Sequence, residues 1–127
     1  MTVSYVSTLK TTRMVAVINA IDANAASPGF IEIGNAGMAA VLCTITLQKP
    51  SFSESSGVIT MLGAPLSANG SANDTAAAAR IKDGGGNIVA TGLTVGTTSG
   101  FDIVLNSTAI TVGQPVTLNS MTITHSP

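Results

Sequence analysis

The hydrophobic period of this chain changes once, at Ser27-Pro28-Gly29, and that change constrains the fold more than any other feature. Before it, Met14, Val17, Ile18, Ile21 and Ala25 recur at spacings of three and four, which puts one apolar stripe along a helix. Lys10, Arg13, Asn19 and Asp22 fall on or beside the opposite face. Thr8 or Thr11 offers a hydroxyl to cap the start. Pro28 cannot continue a helix and Gly29 turns the chain. A helix over residues 9–26 is predicted. After Gly29 the period is two.

"FIEIG" (Phe30–Gly34) reads as a short strand. In "MAAVLCTITL" (38–47), Val41, Cys43, Ile45 and Leu47 share one face while Leu42, Thr44 and Thr46 take the other. "KPSFSESSG" is a connection, "VITML" (58–62) a further strand, and "GAPLSANGSAND" (63–74) has the composition of a loop throughout. "TAAAARIKD" is contested, because its alanines favour a helix by intrinsic propensity. The glycine turn and the β-branched run "IVATGLTV" that follow it favour a strand instead, with the alanines where another layer packs close. "FDIVL", "TAITV" and "PVTLNSMTIT" complete the series. In the last, Val116, Leu118, Ser120, Thr122 and Thr124 alternate with Thr117, Asn119, Met121 and Ile123. About eight short strands behind one helix, punctuated by Gly, Pro, Asn and Ser, predict a mainly β fold of β-sandwich or jelly-roll type. Residues 1–8 are expected to form an N-terminal arm, and residues 9–127 a single domain with the leading helix.

The stretch "ARIKDGGGNIVATG" (79–92) invites a reading as a phosphate-binding glycine loop. Such a loop joins a strand to a helix, whose N-terminus faces the anion. Here the glycines lead into a β-branched run, and no Lys-Ser/Thr pair follows them. The stretch is therefore expected to be a hairpin turn, with glycine supplying positive φ angles.

The rest of the chemical inventory is sparse. The only histidine, His125, lies two residues from the last residue given, where ordering is poorest. The single cysteine, Cys43, sits in an apolar run and reads as a small buried hydrophobe. The six acids, Asp22, Glu32, Glu54, Asp74, Asp83 and Asp102, form no close pair suited to glycoside hydrolysis or a hard-cation cage. Asp74 beside Asn73 suits a side-chain-to-backbone turn. No catalytic residue, cofactor or metal is expected, and the chain is not expected to be an enzyme. Arg80 is the one arginine of the strand region. It reads either as an inter-subunit contact to a carboxylate, or as a solvated strand residue or local pair with an acid such as Asp102.

Only 9% of residues are charged and the net charge is −1. That excludes an electrostatic footprint for nucleic acid or an anionic membrane. The N-terminal residues lack the pattern of a signal peptide, and no apolar run approaches the ~20 residues of a membrane span. A surface so short of charge is poorly protected against association, which suits a homo-oligomer or a protein held in an assembly. Val3, Tyr5 and Val6 are apolar choices for a solvated arm. With Arg80 they are the candidate interface residues, the arm reaching another copy or a larger partner by strand addition.

Three stretches, "RMVAVINAIDANAA", "GMAAVLCTITLQKPSF" and "AARIKDGGGNIVATGLTVGTTSGFDIVLNSTAITVGQPVTLNSMTITH", together resemble a group of small structural proteins of tailed bacteriophage virions. The likeness spans roughly residues 12–125 and rests on turns and alternations. The chain departs from it just before Arg80, where Ala78-Ala79 stands in place of an aromatic residue. The resemblance implies a non-enzymatic virion protein, assembled in the bacterial host cytoplasm. Its implied role is a capsid decoration or cement protein that binds the major capsid protein and other copies of itself. A tail-associated adaptor or fibre-attachment module is the alternative it implies.

Overall fold

The computed structural model describes residues 6–24, 27–48, 51–55, 57–98 and 100–124. Helix α1 runs from Ser7 to Ile21. It begins two residues earlier than the sequence pattern suggests and ends five residues earlier. Neither Thr8 nor Thr11 caps it. Val6 holds the N-cap position in extended conformation without a side-chain cap. The Val6 carbonyl accepts hydrogen bonds from the Leu9 and Lys10 amides at 3.1 Å. Thr8 lies within the first turn, and its carbonyl accepts a bond from the Thr12 hydroxyl at 3.0 Å. Just past the helix end, Asp22 and Asn24 turn their side chains to backbone amides outside the helix. Asp22 Oδ2 accepts the Ser51 amide at 3.1 Å, and Asn24 Oδ1 accepts the Ser27 amide at 3.0 Å. Ala25, assigned to the stripe, lies outside the described residues.

The strands are β1 (Phe30–Gly34), β2 (Val41–Thr46), β3 (Phe52–Ser55), β4 (Val58–Met61), β5 (Leu66–Asn69), β6 (Asp74–Thr75), β7 (Ala78–Lys82), β8 (Ile88–Gly96), β9 (Ile103–Leu105), β10 (Ala109–Ile110) and β11 (Pro115–Thr124). A short 3-10 turn, Ala36–Met38, separates β1 from β2, so β2 begins later than the expected residue 38. Strand β7 settles the alanine-rich segment as a strand, because cross-strand pairing on both sides outweighs alanine's helical propensity.

The main sheet has the order β2-β1-β7-β8-β9-β11-β4-β3, with β5 added on β11, while β6 and β10 form a separate pair. Its pairings are antiparallel except β8 with β9, which is parallel over two residue pairs. The sheet curls. The Leu42 carbonyl of β2, at one end of the order, accepts the Ser71 amide at 2.7 Å and the Ser71 hydroxyl at 3.2 Å. The chain just past β5 is thereby tied back to β2. The fold is mainly β with one leading helix, as expected. These pairings do not establish the finer sandwich or jelly-roll arrangement.

Two departures from strict alternation come from register shifts. Ile33 pairs with Cys43 and Gly34 with Val41, so Leu42 is the extra residue of a bulge. Leu42 and Cys43 are consequently both buried, although they were assigned to opposite faces. In β11 the register shifts between Leu118 and Ser120 opposite β9, so Val116, Leu118 and Met121 are all buried. The expected loop 63–74 holds β5 and the first residue of β6. Its turn-forming composition concealed β5, which exists because the first half of β11 pairs with it, Val116 with Ala68 and Leu118 with Leu66.

The core collects Ile31, Ile33, Ile45, Ile59, Ile81 and Ile103 from the strands, and Met14 and Ile21 from α1. Each fully buried aliphatic side chain contributes about 1.5–3 kcal/mol relative to exposure. Helix α1 rests on β3, β4 and β8, with Val17 and Ile18 half-buried beside Met14 and Ile21.

Candidate interaction surface

The glycine stretch is a hairpin turn between β7 and β8. Asp83 organises it. Its Oδ1 accepts the Gly85 and Asn87 amides at 2.9 Å, and its Oδ2 accepts the Asn87 side-chain amide at 3.2 Å. The Asp83 amide donates to the Asn87 carbonyl at 2.9 Å, which closes the turn. Bonds to the Asn87 backbone and side chain hold the exposed Asp83 carboxyl below the ordinary carboxylate range. The Gly85, Gly86 and Asn87 amides of the turn are directed at Asp83, within the chain.

Among the described residues, the ion pairs lie on the outer face of β1 and β7, where alternation places Glu32, Arg80 and Lys82 together. The register sets Glu32 opposite Arg80 and Phe30 opposite Lys82. Glu32 Oε1 accepts Arg80 Nε at 2.6 Å and Lys82 Nζ at 3.0 Å. The three side chains are 15%, 26% and 19% exposed, so the cluster is only partly wet. Burial pushes the Glu32 carboxyl up, and this is the largest single influence on it. The bonds and charges of Lys82 and Arg80 together outweigh it, leaving Glu32 below its ordinary range.

Arg80 is thus engaged by Glu32, a partner that sequence reasoning did not name. The signal available in sequence was an outward-facing acid in "FIEIG". That signal becomes a contact only when β1 and β7, 48 residues apart at this pair, lie side by side. Asp102, suggested as a partner, serves the tight link between parallel strands β8 and β9. Its Oδ2 accepts the Thr94 amide at 2.9 Å and the Thr94 hydroxyl at 3.1 Å.

Val3 and Tyr5 lie outside the described residues. Val6 is 67% exposed at the entry to α1, and Leu9 and Val15 are exposed along the helix. Thr8, Thr12, Arg13, Ala16, Asn19 and Ala20 also face solvent there. The outer side of α1 is therefore mostly small or apolar. No bond or ion pair joins Val6 to Arg80: the bonds of Val6 stay within the helix start and the ion pair of Arg80 is with Glu32.

Cys43 is buried, and burial raises its thiol above the ordinary range, against a role as a nucleophile. Asp74 was expected to make a side-chain-to-backbone turn; it lies instead in strand β6, where its Oδ1 accepts the adjacent Thr75 amide at 2.7 Å. Its Oδ2 also accepts the Asn35 side-chain amide at 3.0 Å, and Asn73 Oδ1 accepts the Val112 amide at 2.8 Å. Among the described residues there is no ligand-sized pocket and no group of three metal-ligating side chains. His125 lies outside them. No described helix is long and apolar enough to cross a membrane. No family model, no curated protein and no solved structure matches the chain.

Proposed function

We propose that this chain is a structural component of a tailed-bacteriophage virion, a decoration protein that binds the major capsid shell and reinforces it without chemistry of its own. The observation that carries the reading is the resemblance over residues 12–125, in which turns and strand alternations, not reactive residues, are what the chain shares with such proteins. The surface supports it. The exposed apolar side chains Val6, Leu9 and Val15 line the entry and outer side of α1 in a chain with few charges. Such a surface is suited to lasting contact with a partner. In this reading residues 1–5 extend the contact onto a neighbouring copy or the shell by strand addition.

The test is cryo-electron microscopy of virions of the phage that encodes the chain, with its copy number measured by quantitative mass spectrometry. Density over the shell, at a copy number matching the capsid lattice, is the expected result. Density confined to the tail would replace this reading with that of a tail adaptor. Absence from the particle would reject both.

A further inference from the structure

The outer face of β1 and β7 carries an excess of positive charge at one point. Arg80 and Lys82 both bond the same oxygen of the single carboxylate of Glu32. The neighbouring acid, Asp83, is taken up by its own turn. Arg80 is gripped through Nε alone. Among the described residues no acceptor meets its two terminal amino groups, and the side chain keeps 26% of its surface open. A guanidinium fixed through Nε still presents a flat, two-pronged end to solvent, the geometry that receives a carboxylate in two parallel hydrogen bonds. Because Glu32 already holds the side chain in place, little rotamer freedom remains to be lost on binding. Thr44 and Thr46 of β2, opposite Glu32 and Phe30, are exposed, short and uncharged, so a partner's backbone can approach the sheet beside the cluster.

We propose that this point is a docking site for a carboxylate side chain of a protein partner, received by the end of the Arg80 guanidinium with the Lys82 ammonium beside it. The proposal specifies one contact of the structural-protein reading above. It rests on that reading only in taking the carboxylate to belong to a protein.

The experiment needs no virion. The isotope-labelled full chain is titrated with hexaglutamate peptide while its backbone amides and the Arg80 Nε–Hε signal are followed by NMR. The expected shifts fall on Glu32, Arg80, Lys82 and Thr44. Arg80→Gln weakens binding by at least about fivefold, and Arg80→Lys, which keeps the charge but loses the fork, weakens it by an intermediate factor. Arg13→Gln, on α1, leaves it unchanged. Shifts spread evenly over all cations, no shift at Arg80 Nε, or equal binding by Arg80→Gln would overturn the proposal. So would a parallel titration in which inorganic phosphate moves these signals and the peptide does not. If Arg80→Gln fails to fold, the Arg80 signal of the unaltered chain decides. Peptide binding here with no copies on the virion would sink the virion reading alone. Copies on the shell with a silent Arg80 would sink this one alone.

Discussion

Gly84, Gly85 and Gly86 follow one another in a single turn, yet each answers a different physical demand. A side chain at Gly84 would collide with the Ser27 carbonyl oxygen and crowd Asn24. Gly86 has φ +86°, which L side chains rarely adopt, with nothing close by. Gly85 has neither constraint, since an added Cβ would meet only ordinary contacts from 3.4 Å outward. Gly84→Ala should cost about 1–3 kcal/mol through the clash, and Gly86→Ala about 1–2 kcal/mol through backbone strain. Gly85→Ala should fall within about 0.5 kcal/mol of the parent. Chemical denaturation of the three variants checks the order, and equal costs would show that the turn does not meet Ser27 as described. Glu32 makes a second case at this scale. A carboxyl lowered by its partners stabilises the fold above its unfolded value, about 4.3, and that contribution is lost as pH falls through the folded value. Glu32→Gln should cost about 1–2 kcal/mol at pH 7. The gap should close at acid pH, where the parent's Glu32 is itself neutral. Asp74 and Asp83 are lowered too, so both proteins keep some acid sensitivity. Melting curves from pH 7 down to 2.5 would show a constant gap if the ion cluster contributes nothing.

Helix α1 is held by one side only. Ile21 is fully buried and Met14 is 3% exposed, whereas Leu9, Val15 and Ala16 face outward. The fit is close where the helix ends: a side chain at Gly29 would run into Ile21. Ile21→Asp places a charge at this seam with no cation described against it, and should cost at least about 3 kcal/mol. Ala16→Lys, on the outer side, should change stability by no more than about 0.5 kcal/mol. Thermal melts of the pair separate a docked helix from a loosely attached one. If the two substitutions cost the same, the stripe does not face the sheet. The decoration-protein reading adds that Ala16→Lys should weaken attachment to the shell while leaving the fold intact.

At the scale of the molecule, β11 joins the parts. Its first half pairs with β5, its middle with β9 and its last residues with β4, so ten residues connect both arms of the sheet. The N-terminal arm is a separate matter. Helix α1 starts at Ser7 and draws on the Val6 carbonyl, so removing residues 1–8 would strip part of the first turn. Removing residues 1–5 would not. The shorter deletion should leave circular dichroism unchanged and stability within about 1 kcal/mol of the parent. Under the proposed function it should also abolish binding to undecorated shells. A markedly lower melting temperature would mean that these residues belong to the domain's own core, and undiminished binding would mean that the contact lies on the helix or the sheet.

The mainly β class, the leading helix, the hairpin at "DGGGN" and the burial of Cys43 were legible in the sequence, because each depends on periodicity or turn chemistry within a few residues. Strands β1 and β11 were read to their observed bounds for the same reason. Strand β5 was not, since its residues look like a loop until β11 supplies a partner. Nor could alternation foresee the bulges at Leu42 and beyond Leu118, which arise where neighbouring strands fall out of step as the sheet curls. The Glu32–Arg80–Lys82 cluster belongs with these. Its three residues carry no motif, and only the pairing of β1 with β7 turns an acid in one strand and two cations in another into a single charged point.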